Sequence, residues 1–174
     1  MGLGRAWARR PPAHDGIIQV LSVVLREVAD EDLPIFYEHQ RDPVAVAMAD
    51  FPSRDEEAFY AHWEKVRADP SNIVRTVEVD GETAGNLGSW NGEEGRLVGY
   101  WIGREYWGKG VATAALQAFV EEIPERPLHA LVAAHNAGSI RVLEKAGFVQ
   151  VGEDEEGPVF RLDAPAEPFR HAVS

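Results

Sequence analysis

A predicted strand that runs directly into a glycine-rich turn and then into a helix constrains this 174-residue chain more than any other feature. The strand, Leu97–Ile102, is apolar on both faces, which is typical of a strand in the middle of a sheet. The turn contains Gly103, Gly108 and Gly110, and apolar residues at helical spacing begin just after it. The sequence therefore predicts a helix N-terminus at the end of a central strand.

The first N–H groups of such a helix have no partner within it and lie at the positive end of its dipole. Gly108 and Gly110 allow the backbone to approach a ligand closely and to adopt conformations that a Cβ would forbid. Lys109 and Arg104 add positive potential nearby. We therefore predict that the turn binds a diphosphate, even in a chain whose net charge is −12.

Two other phosphate-binding motifs fit this turn less well. Gly103 to Lys109 has the spacing of a P-loop, but Gly110 stands where a P-loop has the Ser or Thr that binds Mg²⁺. A dinucleotide-binding fingerprint requires a third glycine, and this chain has Thr113 there. A nucleoside triphosphatase and a dinucleotide-binding protein are therefore the weaker alternatives.

The order of predicted elements indicates an α+β fold with a mixed sheet. One strand, or two short ones, is predicted over 17–28, and acidic residues from Asp30 onward begin a helix that Pro43 interrupts. Ser53 and Glu56 have the capping-box spacing for a helix that ends near Ala68. A meander of three strands follows, with a hairpin turn at Asp80–Gly81, and then a strand–helix–strand–helix–strand unit. The three strands of the meander are expected at 73–79, 83–90 and 97–102, and the later strands at 128–132, 148–152 and 158–162. One helix is expected at 136–145, and the helix before it has an apolar side formed by Ala112, Leu116, Phe119, Val120 and Ile123.

Length and composition limit the class of protein. The sequence predicts one domain over 17–163, with a loose N-terminal arm at 1–16 and a tail at 164–174. Without cysteine there is no disulfide, thiolate zinc site or cysteine nucleophile, and the six histidines show no metal-ligand spacing, so we expect no metal. The net charge of −12 disfavours nucleic acid. No apolar run approaches the roughly 20 residues of a membrane span, and no signal peptide is evident, so we expect a cytoplasmic protein with no membrane partner.

Two motifs together resemble one family. Residues 107–112, Trp-Gly-Lys-Gly-Val-Ala, resemble the acyl-coenzyme A loop of the GCN5-related N-acetyltransferase (GNAT) superfamily, although Trp107 departs from the usual Gln or Arg. Residues 136–148, from Asn136 to Phe148, are similar to the family's N-x-x-S-x-[R/K]-x-x-E-K-x-G-F motif. Gly99-Tyr100-Trp101-Ile102 and the Ala-Thr at 112–113 resemble the branch that includes the ribosomal-protein N-terminal (RimJ/RimL-type) acetyltransferases. The resemblance covers about residues 20–163.

The resemblance implies a mixed, mostly antiparallel sheet whose central strands, here 97–102 and 128–133, part at one end to admit acyl-coenzyme A. It implies transfer of an acetyl group from acetyl-CoA to a primary amine of a small molecule or of a protein N-terminus. The residues it assigns to the cofactor are Tyr100, Trp101, Ile102, Trp107, Gly108, Lys109, Gly110, Val111, Ala112, Thr113, Asn136, Ser139 and Arg141. The diphosphate site also follows from the residues alone, whereas the cleft between strands comes from the family.

The resemblance also suggests roles for side chains. Ser139 stands where the family branch has a hydroxyl near the cofactor sulfur as proton donor, although a serine in the third position of a helix can simply bond local backbone. Asn136 is expected to cap the helix and to contact the pantetheine. For Arg141, contact with a phosphate and exposure to solvent both remain open.

The general base is not evident in the sequence. Many relatives have a Glu two residues before Gly-Tyr-Trp, and this chain has Leu97 there. Asp50, Glu93 and Glu94 are each more typical of solvated charges, and His135 of a structural residue. An acceptor pocket is predicted, with its candidate lining residues being Asp50, Phe51, Trp90 and Tyr100. A non-catalytic acyl-CoA sensor on the same fold stays open, and a homodimer is expected from the family only.

Overall fold

Within residues 21–165, which the computed structural model describes, seven strands form one sheet. The strands are β1 (Val23–Arg26), β2 (Ile73–Val79), β3 (Glu82–Asn91), β4 (Arg96–Ile102), β5 (Leu128–Leu131), β6 (Val149–Glu153) and β7 (Pro158–Leu162). Their order is β1-β2-β3-β4-β5-β7-β6, which places β4 at the centre. Every neighbouring pair is antiparallel except β4 and β5, which are parallel. The α+β fold class with a mixed, mostly antiparallel sheet is confirmed.

Five helices and two short 3-10 turns, at Asp30–Asp32 and Arg104–Tyr106, complete the described part of the chain. The helices are α1 (Leu33–Arg41), α2 (Pro43–Ala49), α3 (Glu56–Ala68), α4 (Val111–Glu121) and α5 (Ala137–Lys145). A main core lies between the sheet and α4 and α5, and includes Leu87, Leu116 and Phe119. A second apolar cluster joins α1 and α3, around Phe36 and Trp63. The sheet is therefore covered by helices on both faces.

Local sequence signals explain several element boundaries. Asp80 and Gly81, at the predicted β2–β3 hairpin, both have positive φ, +50° and +85°, as a two-residue turn of type I′ requires. Gly147 follows α5 with φ +93°, the left-handed conformation that commonly ends a helix. These two turns were predicted from the residue types alone.

The prediction that Ser53 caps α3 is wrong. The helix begins two residues later, and Asp55 is its cap, accepting a hydrogen bond from the Ala58 N–H at 2.8 Å. The physical reason lies in a tertiary contact, because the Gln40 side chain bonds both backbone groups of Arg54. The Arg54 carbonyl accepts from Gln40 rather than from a helical N–H, so the helix starts after it.

Two further expectations need adjustment. In α4 the buried stripe includes Val111 and Ala115, whereas Ala112, which was expected on the apolar side, is only half-buried. Ala112 lies at the edge of this stripe, where it packs against the core and also lines a cavity. Within residues 21–28, the described part of the predicted 17–28 segment, the first strand covers Val23–Arg26. The predicted arm at 1–16, the segment 17–20 and the tail beyond residue 165 lie outside the described residues.

Candidate functional site

The parallel strands β4 and β5 separate soon after they meet. They pair only at Arg96 with Leu128 and at Leu97 with His129. From Val98 to Ile102 the edge of β4 that faces β5 therefore has no strand partner among residues 21–165. A cavity of about 410 Å³ opens along this part of β4 and extends to the start of α4 and α5. The predicted splay of the central strands is confirmed.

The glycine-rich turn presents backbone N–H groups to this cavity. In the part of the chain that the structure describes, no protein atom accepts a hydrogen bond from any N–H of Gly108 to Thr113. The first paired amide of α4 is that of Ala114, which donates to the Gly110 carbonyl at 3.0 Å. The turn is therefore open, with a row of donors available to an anion.

Gly108 and Gly110 are needed here for conformation rather than for space. Their φ angles are +70° and +77°, and a Cβ built on either glycine would meet no atom within 4 Å. Any other residue would be strained in this backbone, while the room outside the turn stays free for a ligand. Such alternation of backbone conformation is how chains make a concave nest of N–H groups.

The positive charge near the cavity differs from the sequence prediction. Arg104 does not face the cavity and is paired with Asp42, at 2.8 Å from Nε to Oδ2. Lys109 lies on the turn itself and is exposed, but it does not line the cavity. Arg141 and Lys145, one turn apart on α5, do line it, and neither forms an ion pair with another residue of the described chain. The sequence pointed to Arg141 but missed Lys145, because helical spacing alone does not show which face meets the turn.

The start of α5 brings two predicted residues to the cavity. Asn136 Oδ1 accepts the N–H of Ser139 at 3.1 Å, which confirms the predicted cap and leaves the amide nitrogen of Asn136 without a role in the cap. The Tyr100 hydroxyl donates to Ser139 Oγ at 2.9 Å, across the gap between β4 and α5. Burial raises the pKa of Tyr100 above its ordinary value, and the Ser139 hydrogen bond opposes this only in part.

Most of the residues assigned to the cofactor by sequence meet in this one cavity. The predicted residues that line it are Tyr100, Trp101, Ile102, Trp107, Gly108, Gly110, Val111, Ala112, Thr113, Asn136, Ser139 and Arg141. Trp107, where the family usually has Gln or Arg, donates from Nε1 to the Ile102 carbonyl at 2.9 Å and so closes the far end of the open β4 edge. The turn is thus stabilised by its own tryptophan, while its amides stay open.

The structure does not bring the predicted acceptor residues into the same cavity, with the exception of Tyr100. Asp50 ends α2 in a left-handed conformation, immediately after the lining residue Ala49. Phe51 is exposed beneath the Arg54 guanidinium, and Trp90 covers Gly99 on β4 from an exposed position. Neither Phe51 nor Trp90 lines the cavity.

No carboxylate lines the cavity within residues 21–165. Glu93 and Glu94 are exposed in the β3–β4 turn, and Leu97, where relatives have Glu, pairs with His129. His135 contacts the Ala47 carbonyl through Nε2 at 2.8 Å, so it ties the segment before α5 to α2. The structure thus offers no lining residue as a carboxylate base.

Helix α2 forms a wall of the cavity that sequence analysis missed. Ala45, Met48 and Ala49 lie on that wall. The helix is positioned by tertiary contacts at both ends, from Arg104 to Asp42 and from His135 to Ala47. Its short apolar sequence carries no local signal for a site.

No helix in residues 21–165 has the length and hydropathy needed to cross a membrane. Over the same residues, no three His, Asp or Glu side chains are grouped as a metal site would require.

A splayed parallel strand pair, with free amides at the head of the following helix, defines an acyltransferase fold of the GNAT class. The chain matches the family described as "Acetyltransferase (GNAT) domain" over residues 22–149, and it belongs to that family. The resemblance seen in the sequence is thereby confirmed.

One relative by sequence is YdaF of Bacillus subtilis (strain 168), described as a candidate ribosomal N-acetyltransferase. The two chains are 29% identical over 108 residues, which is 58% of this chain and 59% of YdaF. The match thus spans less than two thirds of that relative's length.

Two solved structures share the fold. The aminoglycoside acetyltransferase AAC(6')-Ib in complex with coenzyme A has a TM-score of 0.69 at 22% identity, over 82% of this chain and 95% of that one. Mycobacterium smegmatis RimJ in complex with CoA-disulfide has a TM-score of 0.67 at 22% identity, over 82% of each chain. At this level of identity the likeness concerns the fold.

Proposed function

We propose that this protein is an N-acetyltransferase that moves an acetyl group from acetyl-CoA to a primary amine by direct attack within a ternary complex. The observation that carries the proposal is the row of free N–H groups from Gly108 to Thr113 at the mouth of the splayed strands. Family membership and the coenzyme A in the two related solved structures support it.

The residues present suit coenzyme A chemically. The free amides of the turn and the dipole of α4 would hold the diphosphate, with Arg141 and Lys145 as the nearby cations. The unpaired β4 edge from Val98 to Ile102 would accept the pantetheine as an added strand does. The Asn136 amide nitrogen, which the helix cap does not use, is a further donor on that path.

The thioester supplies an activated acetyl group, so the protein needs to position it and to manage protons. In the transfer a C–N bond forms, the C–S bond breaks with its electron pair on sulfur, and the proton that the amine loses balances the one that sulfur gains. Ser139 would donate its hydroxyl proton toward the leaving sulfur and recover one in the same turnover. Holding the amine and the carbonyl together accounts for much of the rate in such reactions.

A second function has support from one observation. Because no carboxylate lines the cavity within the described residues, a non-catalytic acyl-CoA sensor is the alternative. If the protein is an enzyme, the amine loses its proton to solvent or to a group that does not line the cavity. The acceptor is proposed to be a small amine or a protein N-terminus. A homodimer remains a prediction from the family, which analytical ultracentrifugation would test.

The first experiment measures binding and transfer separately. Coenzyme A should raise the melting temperature, because it binds only the folded chain. At a coenzyme A concentration of 100 Kd, the free energy of unfolding should increase by about 2.7 kcal/mol. Pantetheine, which lacks the diphosphate, is the control ligand and should give a much smaller shift. Thiol release from acetyl-CoA is then followed with a panel of polyamines, aminoglycosides, amino acid amides and peptides with free N-termini, and products are identified by mass spectrometry.

The outcomes separate the two functions. A shift with coenzyme A together with an acetylated amine supports the enzyme. A shift without thiol release on any amine favours the sensor. The absence of a shift at millimolar coenzyme A contradicts both.

A further inference from the structure

A hydrogen bond between two hydroxyls joins β4 to α5 beside the open gap of the sheet. Tyr100 lies on β4, where Val98, Tyr100 and Ile102 alternate with residues of the opposite face. Its hydroxyl donates to Ser139 Oγ on α5 at 2.9 Å, and both residues line the cavity. β4 and β5 do not pair beyond Leu97, so this bond joins β4 to the start of α5 where no strand ladder joins β4 to β5.

The surroundings of Ser139 decide where its own proton can go. A serine in a helix commonly donates to a carbonyl three or four residues earlier, here that of Asn136 or His135. Those two carbonyls accept the N–H groups of Ile140 and Ala137, and neither accepts a hydrogen bond from Ser139 Oγ. Ser139 Oγ donates to no acceptor in the described part of the chain, and one of its lone pairs is taken by Tyr100. The proton of Ser139 is therefore free to point into the cavity.

Tyr100 is well suited to act only as a donor in this pair. It is mostly enclosed, and burial raises the pKa of its phenol, so the hydroxyl stays protonated at neutral and mildly alkaline pH. A hydroxyl that accepts a hydrogen bond becomes a better donor in turn. The phenol thus both orients Ser139 Oγ and strengthens the bond that Ser139 can give.

Resting on the function proposed above, we propose that Tyr100 is a positioning residue that acts through Ser139, directing the serine hydroxyl at the leaving sulfur and stabilising the negative charge which develops on the serine oxygen. Tyr100 keeps its own proton throughout, and the proton balance of the transfer is unchanged. Proton donation to the sulfur depends on both hydroxyls, so a variant that keeps only one of them should not reach the wild-type kcat.

The first test is a double-mutant cycle in the acetyl-transfer assay. Tyr100→Phe keeps the ring and removes only the hydroxyl, so kcat should fall about tenfold while the KM for acetyl-CoA changes less than about twofold. Ser139→Ala should lower kcat further. In the double variant Tyr100→Phe should add nothing to Ser139→Ala, because its effect passes through the serine. Tyr60→Phe, an exposed tyrosine on α3 away from the cavity, is the matched control and should leave kcat unchanged.

The second test does not use activity. The affinity of coenzyme A is measured by calorimetry from neutral pH up to the pH at which its thiol is ionised in free solution, and compared with that of S-methyl-coenzyme A, which has no ionisable sulfur. In the wild-type protein coenzyme A should gain affinity relative to the methyl analogue as its thiol ionises. Ser139→Ala should abolish that gain, and Tyr100→Phe should reduce it.

Failure of this inference can be told from failure of the proposed function. If coenzyme A binds but Tyr100→Phe matches the wild type in both measurements, or if the effects on kcat are additive, Tyr100 does not act through Ser139. If coenzyme A does not bind to the wild-type protein, the proposed function and this inference both fall.

Discussion

Two polar regions of this molecule are organised in opposite ways. The buried Asp32 carboxylate accepts hydrogen bonds from both terminal nitrogens of Arg26, from the Ala29 N–H and from the hydroxyls of Thr76 and Thr83, all between 2.7 and 2.9 Å. The turn from Gly108 to Thr113 has six consecutive N–H groups with no acceptor in the described chain.

The difference separates a structural role from a binding role. Burial by itself would raise the pKa of Asp32, yet the hydrogen bonds that it accepts outweigh burial and hold that pKa well below its usual range. Asp32 thereby ties the start of α1 to β1, β2 and β3. A polar cluster whose hydrogen bonds are all made within the protein has no free donor or acceptor for a ligand. A row of N–H groups without acceptors can bind one.

The largest expected effect comes from breaking the satisfied region. Asp32→Asn should lower the free energy of unfolding by about 3 kcal/mol, because it leaves the Arg26 guanidinium without its buried partner. Glu78→Gln is the matched control, since Glu78 pairs with the same arginine at 2.7 Å but is partly exposed. That variant should lose no more than about 1 kcal/mol in urea unfolding. Equal losses in the two variants would contradict the assigned role of Asp32.

Replacement of a glycine in the open region should have a smaller effect on stability and a specific effect on binding. Gly110→Ala strains a backbone at φ +77° and should weaken coenzyme A binding on the order of tenfold, about 1.4 kcal/mol. Gly81→Ala is a close control, because Gly81 has φ +85° and equally open surroundings but lies in the β2–β3 hairpin. Both variants should lose roughly 1–2 kcal/mol of stability. Calorimetry that finds unchanged affinity in Gly110→Ala would count against the turn as the diphosphate site.

The smallest expected effect concerns His39, a buried side chain with only part of its hydrogen-bonding capacity used. His39 on α1 is buried, its Nδ1 has no hydrogen-bond partner in the described part of the chain, and its Nε2 lies 3.7 Å from Glu105. Burial lowers its pKa, although Glu105 opposes the change. The unfolded chain therefore binds a proton at this histidine more readily than the folded chain does. The free energy of unfolding should be highest above the ordinary His pKa of about 6.5 and should decrease as the pH falls below it. Urea unfolding at several pH values should show a weaker decline in His39→Gln, and an identical one would refute this origin.

Sequence patterns anticipated the elements whose signals are local. The hairpin at Asp80–Gly81, the cap at Asn136 and the left-handed Gly147 each depend on residues within one turn of chain. Because the predicted strand at 97–102 is apolar on both faces, it was expected at the centre of the sheet, and the strand order confirms this. The glycine turn was anticipated for the same reason, since a helix start and two glycines lie next to one another in sequence.

Long-range contacts decided the rest. The cap of α3 moved from Ser53 to Asp55 because Gln40, far away in sequence, binds Arg54. Arg104 was expected to support the turn, but Asp42 pairs with it instead. The α2 wall of the cavity follows from the same kind of contact, made by His135 and Arg104.

The amino-acid sequence by itself determined that a strand would lead through glycines into a helix whose first amides face outward, because those properties reside in neighbouring peptide units. Only the tertiary structure decided that β4 and β5 would part beyond Leu97 and that Tyr100 would reach Ser139 on α5 beside the gap. Such pairings depend on the packing of elements that are distant in sequence, and no local pattern encodes a distance between two hydroxyls.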